Sequence, residues 1–440
     1  AFGTRGRTGA VLGHLERLNV FARLGWHCHF PNASHHRRPV GSHLVGVCRL
    51  CLVAVAFVGA RGAARSVINS PVPVDLITGD ELLKAGGSGM LDMLVGTIPS
   101  FNVQENPISD AATLVRPVNL RGLPSDSTLI LVNGKRRHRA AVIAFQGAGI
   151  NDGAQGVDIS VIPAIALKHV EVLRDGATAQ YGSDAIAGVM NFSLKNNADG
   201  GVFEINNGQY YQGDGNTTTI AGNVGLPLTE HGFANLSFQY KAAEATSRSI
   251  ERIDTQALIA AGNNDVTPVA QIWGSPEVRD DYTLFGNFGF NLNESTELYW
   301  FGNYSERDVE SGFYYRNPEN RTGVYGTGLR LVDTNGDGQI VSDVDQNNVD
   351  DISHHQWLIG DLTQDGSGNC PTVIYPIEER LTEQVEYQQV LDDANCFATN
   401  EIYPGGYTPR FGGNIVDHSF TIGTKGDIQS GIFTEVFYDI

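Results

Sequence analysis

The 440-residue chain is poor in charge and in sulfur: 18% of its residues are charged, and it holds five Cys and three Met. It lacks any run of the ~18–20 apolar residues that a membrane-crossing helix needs. The longest uninterrupted run, LCLVAVAFVGA at residues 50–60, has the length of a signal-peptide core. Nearly fifty residues precede it, so it is not read as a working signal peptide. This lack excludes helical spans only, because a β-barrel crosses with strands and leaves a weaker hydropathy signal. Also missing are a G-x-S-x-G elbow, an H-E-x-x-H pair and a nucleotide fingerprint ahead of a helix, so no enzyme is expected. A net charge of −19 excludes nucleic acid as a partner of the whole chain.

That charge is unevenly spread. Residues 1–65 hold nine Arg, no Lys and one acid, a balance of +8, so the remainder carries −27. The same stretch has six of the twelve His and three of the five Cys, yet no spacing that builds a zinc site. Residues 1–60 are read as an atypical basic segment outside the fold.

From about residue 66 the texture becomes regular. A short strand at Val74–Ile77 leads to Thr78 or Asp80 as the N-cap of a helix. Leu129–Val132 reads as a strand, Asn133-Gly134 as a tight hairpin turn, and His169–Leu173 as another strand. Short strands and helices up to about Lys195 describe one small α+β domain. Beyond Gly200 the pattern is β only, with apolar and polar residues alternating in FANLSFQY, YTLFGNFGFNL and LYWFGNYS. Short turns such as NESTE alternate with very long loops, about 242–280 and 307–417. Strands of about ten residues with one short and one long side are the pattern of an antiparallel transmembrane β-barrel. Tyr210, Tyr211, Tyr240, Tyr282, Tyr299, Trp300 and Tyr304 fit its interfacial girdles. About seven strands fit before residue 440, too few to close, so the chain is expected to be the front part of a longer protein.

Three stretches carry a resemblance: SPVPVDLITGDEL (70–82), VNLRGLPSDSTLILVNGKR (118–136) and VEVLRDGATAQYGSDAIAGVMNFSLK (170–195). In order and spacing they resemble the plug of TonB-dependent outer-membrane receptors. The resemblance implies a plug at residues 61–198, and the first part of a 22-stranded barrel at 199–440 with extracellular long loops. It implies the outer membrane of a Gram-negative bacterium. It further implies a small ligand such as an iron–siderophore complex, cobalamin or a saccharide, and import with energy from TonB and its inner-membrane complex. The barrel would contact outer-membrane lipid. The family's TonB box is matched only in its Gly-x-Arg part, at Gly59–Arg61. A rival reading is a secreted calcium-binding β-protein or adhesin.

Within the last motif, Asp175-Gly176 turns the chain out of a strand, and Gly182 and Gly188 permit close backbone approach. Arg174, Asp175 and Asp184 supply charge-assisted bonds. All six are expected at the contact between plug and barrel. The plug segment after the hairpin turn supplies ligand-contact candidates His138, Arg139, Gln146, Asn151, Asp152 and Gln155. DTNGDGQIVSDVD places Asp333, Asn335, Asp337 and Gln339 at alternate positions with Gly338 sixth, the first half of an EF-hand loop. Its twelfth position is Val344, with Asp343 and Asp345 beside it, so calcium is a candidate ion and no other cofactor is expected. Cys370 and Cys396 in the long loop are expected to form a disulfide.

Overall fold

The computed structural model describes residues 74–87, 89–103, 114–144, 149–174, 177–333, 351–363, 369–428 and 436–439, with the dipeptides 18–19, 55–56 and 65–66. They form two compact units: residues 1–246, 275–311 and 412–440, and residues 247–274 with 312–411.

The first unit begins with a mixed-sheet domain. Its strands are β1 (Val74–Thr78), β2 (Phe101–Val103), β3 (Val118–Leu120), β4 (Thr128–Val132), β5 (Lys135–Arg136), β6 (Leu167–Leu173) and β7 (Gly188–Leu194). The main sheet runs β1-β6-β7-β4-β5, antiparallel throughout except for the parallel β7–β4 pair, while β2 and β3 form a separate ladder. TLILV is apolar at four of five positions because all five residues of β4 are buried, as a strand covered on both faces requires. One face packs under helices α1 (Gly79–Lys84) and α2 (Met90–Thr97), where Leu82, Leu94, Ile162, Val170, Met190 and Phe192 meet. The other buries Val74, Leu129, Leu131, Ala185 and Val189. Thr78 caps α1 in a capping box with Glu81, which settles the choice between Thr78 and Asp80. Asn133 and Gly134 both take positive φ, 48° and 78°, as a two-residue hairpin turn demands.

Seven antiparallel strands then form a wall in chain order: β8 (Gly201–Gln209), β9 (Thr217–Pro227), β10 (Gly232–Ala243), β11 (Glu277–Asn293), β12 (Thr296–Gly312), β13 (Arg410–Ile428) and β14 (Val436–Asp439). The dipeptide Leu18–Asn19 pairs with the outer edge of β8. Along β12, Tyr299, Phe301, Asn303, Ser305, Arg307 and Val309 are buried on the inner face, while Trp300 and Tyr304 point outward. The outward face is apolar and open: Phe203 and Leu284 are each 57% exposed, and Phe420 is 70%. Tyr240 pairs with Tyr282, whose ring stacks with that of Tyr304, so these three form a belt on the outward face. Tyr299 departs from the expected girdle. Its parity turns it inward, where Lys135 and Lys425 each stand 5.6 Å from its ring. The strands also run further than expected, β11 starting at Glu277 and β12 ending at Gly312. Their ends alternate in charged residues, which read as loop.

The second unit is built from the two long connections, which were expected to be plain loops. Residues 326–333, 351–357 and 374–376 form a three-stranded sheet, and 359–361 pairs with 396–398. Helices cover Ile253–Ala260 and Val385–Asp392. Tyr325, Trp357, Tyr375, Leu381, Tyr387 and Val390 make a core of its own. The unit holds a disulfide between Cys370 and Cys396, S–S 2.11 Å, and a bidentate Arg380–Glu319 pair at 2.8 and 2.9 Å. Three of its five strands are three residues long, too short to leave a readable period, which is why this core was not seen in the sequence.

Candidate functional site

Between the mixed sheet and the inner face of the wall lies a seat made of two kinds of contact. Toward the short turns, Phe285, Tyr299 and Phe301 of the wall join the same hydrophobic core as Leu82, Val170 and Phe192. Further along β12 the inward residues become polar. Arg307 donates to Asp158 Oδ2 at 2.5 Å, to the carbonyl of Leu114 at 2.9 Å and to Ser160 Oγ. Both side chains of the Arg307–Asp158 pair are more than nine-tenths buried. Such charges are tolerated in the interior only when paired and hydrogen-bonded.

A second buried pair runs the other way. Arg137, directly after β5, donates to Asn303 Oδ1 at 2.8 Å, to Ser419 Oγ and to Asp417 of β13. Asn303 also donates to Asp417, at 2.9 Å, and His138 Nε2 lies 2.7 Å from the other Asp417 oxygen. Burial draws the Arg137 pKa down from its ordinary value, while the charges of Asp417 and Asp158 oppose that shift. A guanidinium stays protonated regardless. Asn133 of the hairpin turn donates to Asn287, and Asn287 donates to the carbonyl of Lys195 at 2.9 Å. A polar cavity of about 80 Å³, lined in part by Asp92, Arg116, Lys241, Asp281 and Arg307, adjoins this seat.

Four of the six residues expected at the plug–barrel contact make their contacts within the mixed-sheet domain instead. Arg174 pairs with Asp75 at 2.6 Å, both in the mixed-sheet domain. Asp184 accepts from Arg136 and, at 3.1 Å, from Arg139, again within that domain. Gly188 has φ 154°, and a Cβ there would meet the Leu173 carbonyl oxygen at 2.3 Å. Gly182 faces Arg136. The motif thus locks the small domain internally, because β6 and β7 are its central strands and their connection closes on β5 and β1. Asp175 and Gly176 lie outside the described residues.

The ligand-contact candidates divide. Asn151 is fully buried; it accepts from the Ser125 N–H and from Asn119, so it braces the domain rather than facing a ligand. Gln155 is tied to the Ala140 carbonyl at 2.7 Å. His138 and Arg139 are engaged with Asp417 and Asp184 yet each remains 45% exposed, and Asp152 is exposed. Gln146 lies outside the described residues, as do Asn335, Asp337, Gln339, Asp343 and Asp345; Asp333 ends a strand of the second unit. His354 and His355, also in that unit, are buried in its sheet. Sequence reasoning missed Asp158, Arg307 and Asp417. The signal was available for two of them: NYSERDV and NIVDHSF each set one charge among the inward positions of their strand, at Arg307 and at Asp417.

The family model that matches, over residues 66–189, is the TonB-dependent receptor plug domain. The chain carries the plug of a TonB-dependent receptor. Among curated relatives, the ferric enterobactin receptor of Pseudomonas aeruginosa is 29% identical over 169 residues, 38% of this chain and 22% of that protein. The vitamin B12 transporter BtuB of Vibrio vulnificus is 30% identical over 231 residues, 51% of this chain and 34% of that protein. The solved siderophore receptor PirA of Acinetobacter baumannii covers 54% of this chain and 32% of its own, with 22% identity and a TM-score of 0.40. The match to the first two curated relatives thus spans less than a quarter of their length. The plug is followed by transmembrane β-barrel strands, and the protein's place is the outer membrane of a Gram-negative bacterium. The family is one of receptors.

Proposed function

We propose that the chain belongs to an importer that binds a scarce small ligand at the cell surface and moves it inward with energy supplied through TonB, with no catalytic step. The observation that carries this reading is the seat. A domain with a two-faced core is held against a barrel wall in part by discrete polar side chains, Arg137 to Asp417 and Arg307 to Asp158, a contact that can part without unmaking either sheet. The names of the relatives, receptors for ferric enterobactin and rhizobactin and a vitamin B12 transporter, support iron–siderophore complexes or cobalamin as the ligand class. His138, Arg139 and Asp152, exposed on the plug segment after the hairpin turn, are the proposed plug contacts to it. Calcium held between Asp333 and Asp345 is a further proposal, tested by calcium-dependent change in protease resistance of the second unit. The rival reading of a secreted adhesin is not favoured, because a plug match gives it no support.

The test is uptake. A strain deleted for the full gene is supplied in turn with radiolabelled ferric enterobactin, ferric rhizobactin and cobalamin, with and without functional TonB. Loss of one ligand's uptake in the deletion strain, matched by loss without TonB, is expected. Unchanged uptake of all three would remove these ligands from the proposal, and ligand accumulation independent of TonB would overturn the importer reading.

A further inference from the structure

The middle strand of the second unit's three-stranded sheet, residues 351–357, sets a titratable ring into that unit's core. His355 is 7% exposed. It is paired directly with Leu329 on one side and with Tyr375 on the other, whose ring lies 5.2 Å away, tilted by 51°. Its Nδ1 is buried and has no hydrogen-bond partner. A neutral imidazole tolerates that, because the tautomer with its proton on Nε2 leaves only a lone pair bare at Nδ1. The protonated ring donates from both nitrogens, so it would bury an unsatisfied N–H and a charge together.

The groups around the ring offer it no anion. Tyr375 donates its hydroxyl to the Glu319 carbonyl, and the Tyr387 hydroxyl accepts from Asn400, which itself accepts from Trp357 Nε1 at 3.0 Å. Burial pushes both phenols above their ordinary pKa, so both stay neutral. The Glu319 carboxylate is held by Arg380. His354, the next residue along the strand, turns to the opposite face. Burial alone draws the His355 pKa below its ordinary value.

We propose that the second unit, the part of the chain expected outside the cell, is an acid-operated module: a proton taken up by His355 parts residues 351–357 from 374–376 and opens the core. The rings of His355, Tyr375, Trp357, Tyr325, Tyr407 and Tyr403 follow one another with centroids 4.6 to 6.3 Å apart. The row ends at a tyrosine 47% exposed, so losing its first contact withdraws packing from a surface group. The opening is bounded. The Cys370–Cys396 disulfide closes the segment that carries Tyr375 and the helix Val385–Asp392, and it holds when the strand leaves the sheet. A histidine whose folded pKa is depressed gives stability that is complete above its unfolded value, about 6.5. Below that value the opening constant rises about tenfold per pH unit, until the folded pKa is reached.

Hydrogen exchange of the full receptor in vesicles, corrected for the intrinsic pH dependence of amide exchange, tests this. Protection at residues 351–357 and at Tyr375 is expected to fall about tenfold per pH unit below about 6.5, while β4 of the plug keeps its own. His355→Phe, which keeps a ring and never charges, should hold protection level, and His354→Gln should keep the wild-type slope. A slope that persists in His355→Phe, that vanishes in His354→Gln, or that is absent from wild type would overturn the proposal. A second measurement needs no variant to fold: NMR titration of the His355 ring in wild type, assigned through its contact with Tyr375. Titration below about 6.5 in the folded protein supports the proposal, and titration at or above it overturns it.

Discussion

The plug and the wall are both sheets, and they are built on opposite rules. The plug hides both faces: TLILV is a nearly continuous apolar run, and five of the seven residues of Leu167–Leu173 are buried, because helices cover one side and a small cluster the other. The wall hides only its inner face, and there it places Asn235, Ser237, Asn287, Asn303 and Arg307 while turning Phe203, Leu284 and Phe420 outward. In the plug, cohesion comes from burial and is indifferent to direction. In the wall it comes from the ladder, so side chains are free to serve two environments. Contact between the two is consequently part apolar, at Phe285, Tyr299 and Phe301, and part ionic.

The contrast can be broken in four places. Phe192 is fully buried in the plug, and Phe192→Ala should cost about 4 kcal/mol; faster hydrogen exchange across the central plug strands, with the wall unchanged, would be the readout. Arg307→Ala strands the Asp158 charge and should cost about 3 kcal/mol. It should be partly recovered by Arg307→Met with Asp158→Leu, as seen in thermal unfolding of the full receptor. Phe420→Arg puts a charge on the outward face beside Gly302, deeper than the tyrosine belt, and should cost about 2 kcal/mol, against almost nothing in a protein that met water there. A loss within 0.5 kcal/mol, roughly the size of an ordinary surface change, would contradict the membrane assignment.

The smallest effect concerns the cap of the first plug helix. Thr78→Ala should cost about 1 kcal/mol. The backbone N–H of Thr78, and then its hydroxyl, hold the Glu81 pKa below its ordinary value. A depressed carboxylate pKa contributes stability that is present above the unfolded-state value, about 4.3, and is lost as pH falls through the folded one. Glu81→Gln should therefore flatten the acid limb of plug stability, and an unchanged limb would show that the capping box is not formed.

Most of the architecture was readable because period carries it. The alternation in FANLSFQY marked β10, Asn133-Gly134 marked the hairpin turn between β4 and β5, and the order of three motifs marked the plug. Partnership was not readable. Arg174 and Asp184 look like contact residues from sequence alone, yet a charge's partner depends on which strands are neighbours, and β6 and β7 turn out to be central in the plug. Asn151 likewise looked like an exposed loop amide until the Ser125 N–H and Asn119 were seen to close on it. The second unit escaped for the reason already given: most of its strands are three residues long and hold no period.

The central claim is that the plug is seated on the wall by specific buried ion pairs. A double-mutant cycle on Arg307→Met and Asp158→Leu, read from plug hydrogen exchange in the full receptor, addresses it most directly. A coupling energy of about 1–3 kcal/mol is predicted for residues in one network. Additive effects, with coupling under about 0.5 kcal/mol, would contradict the account.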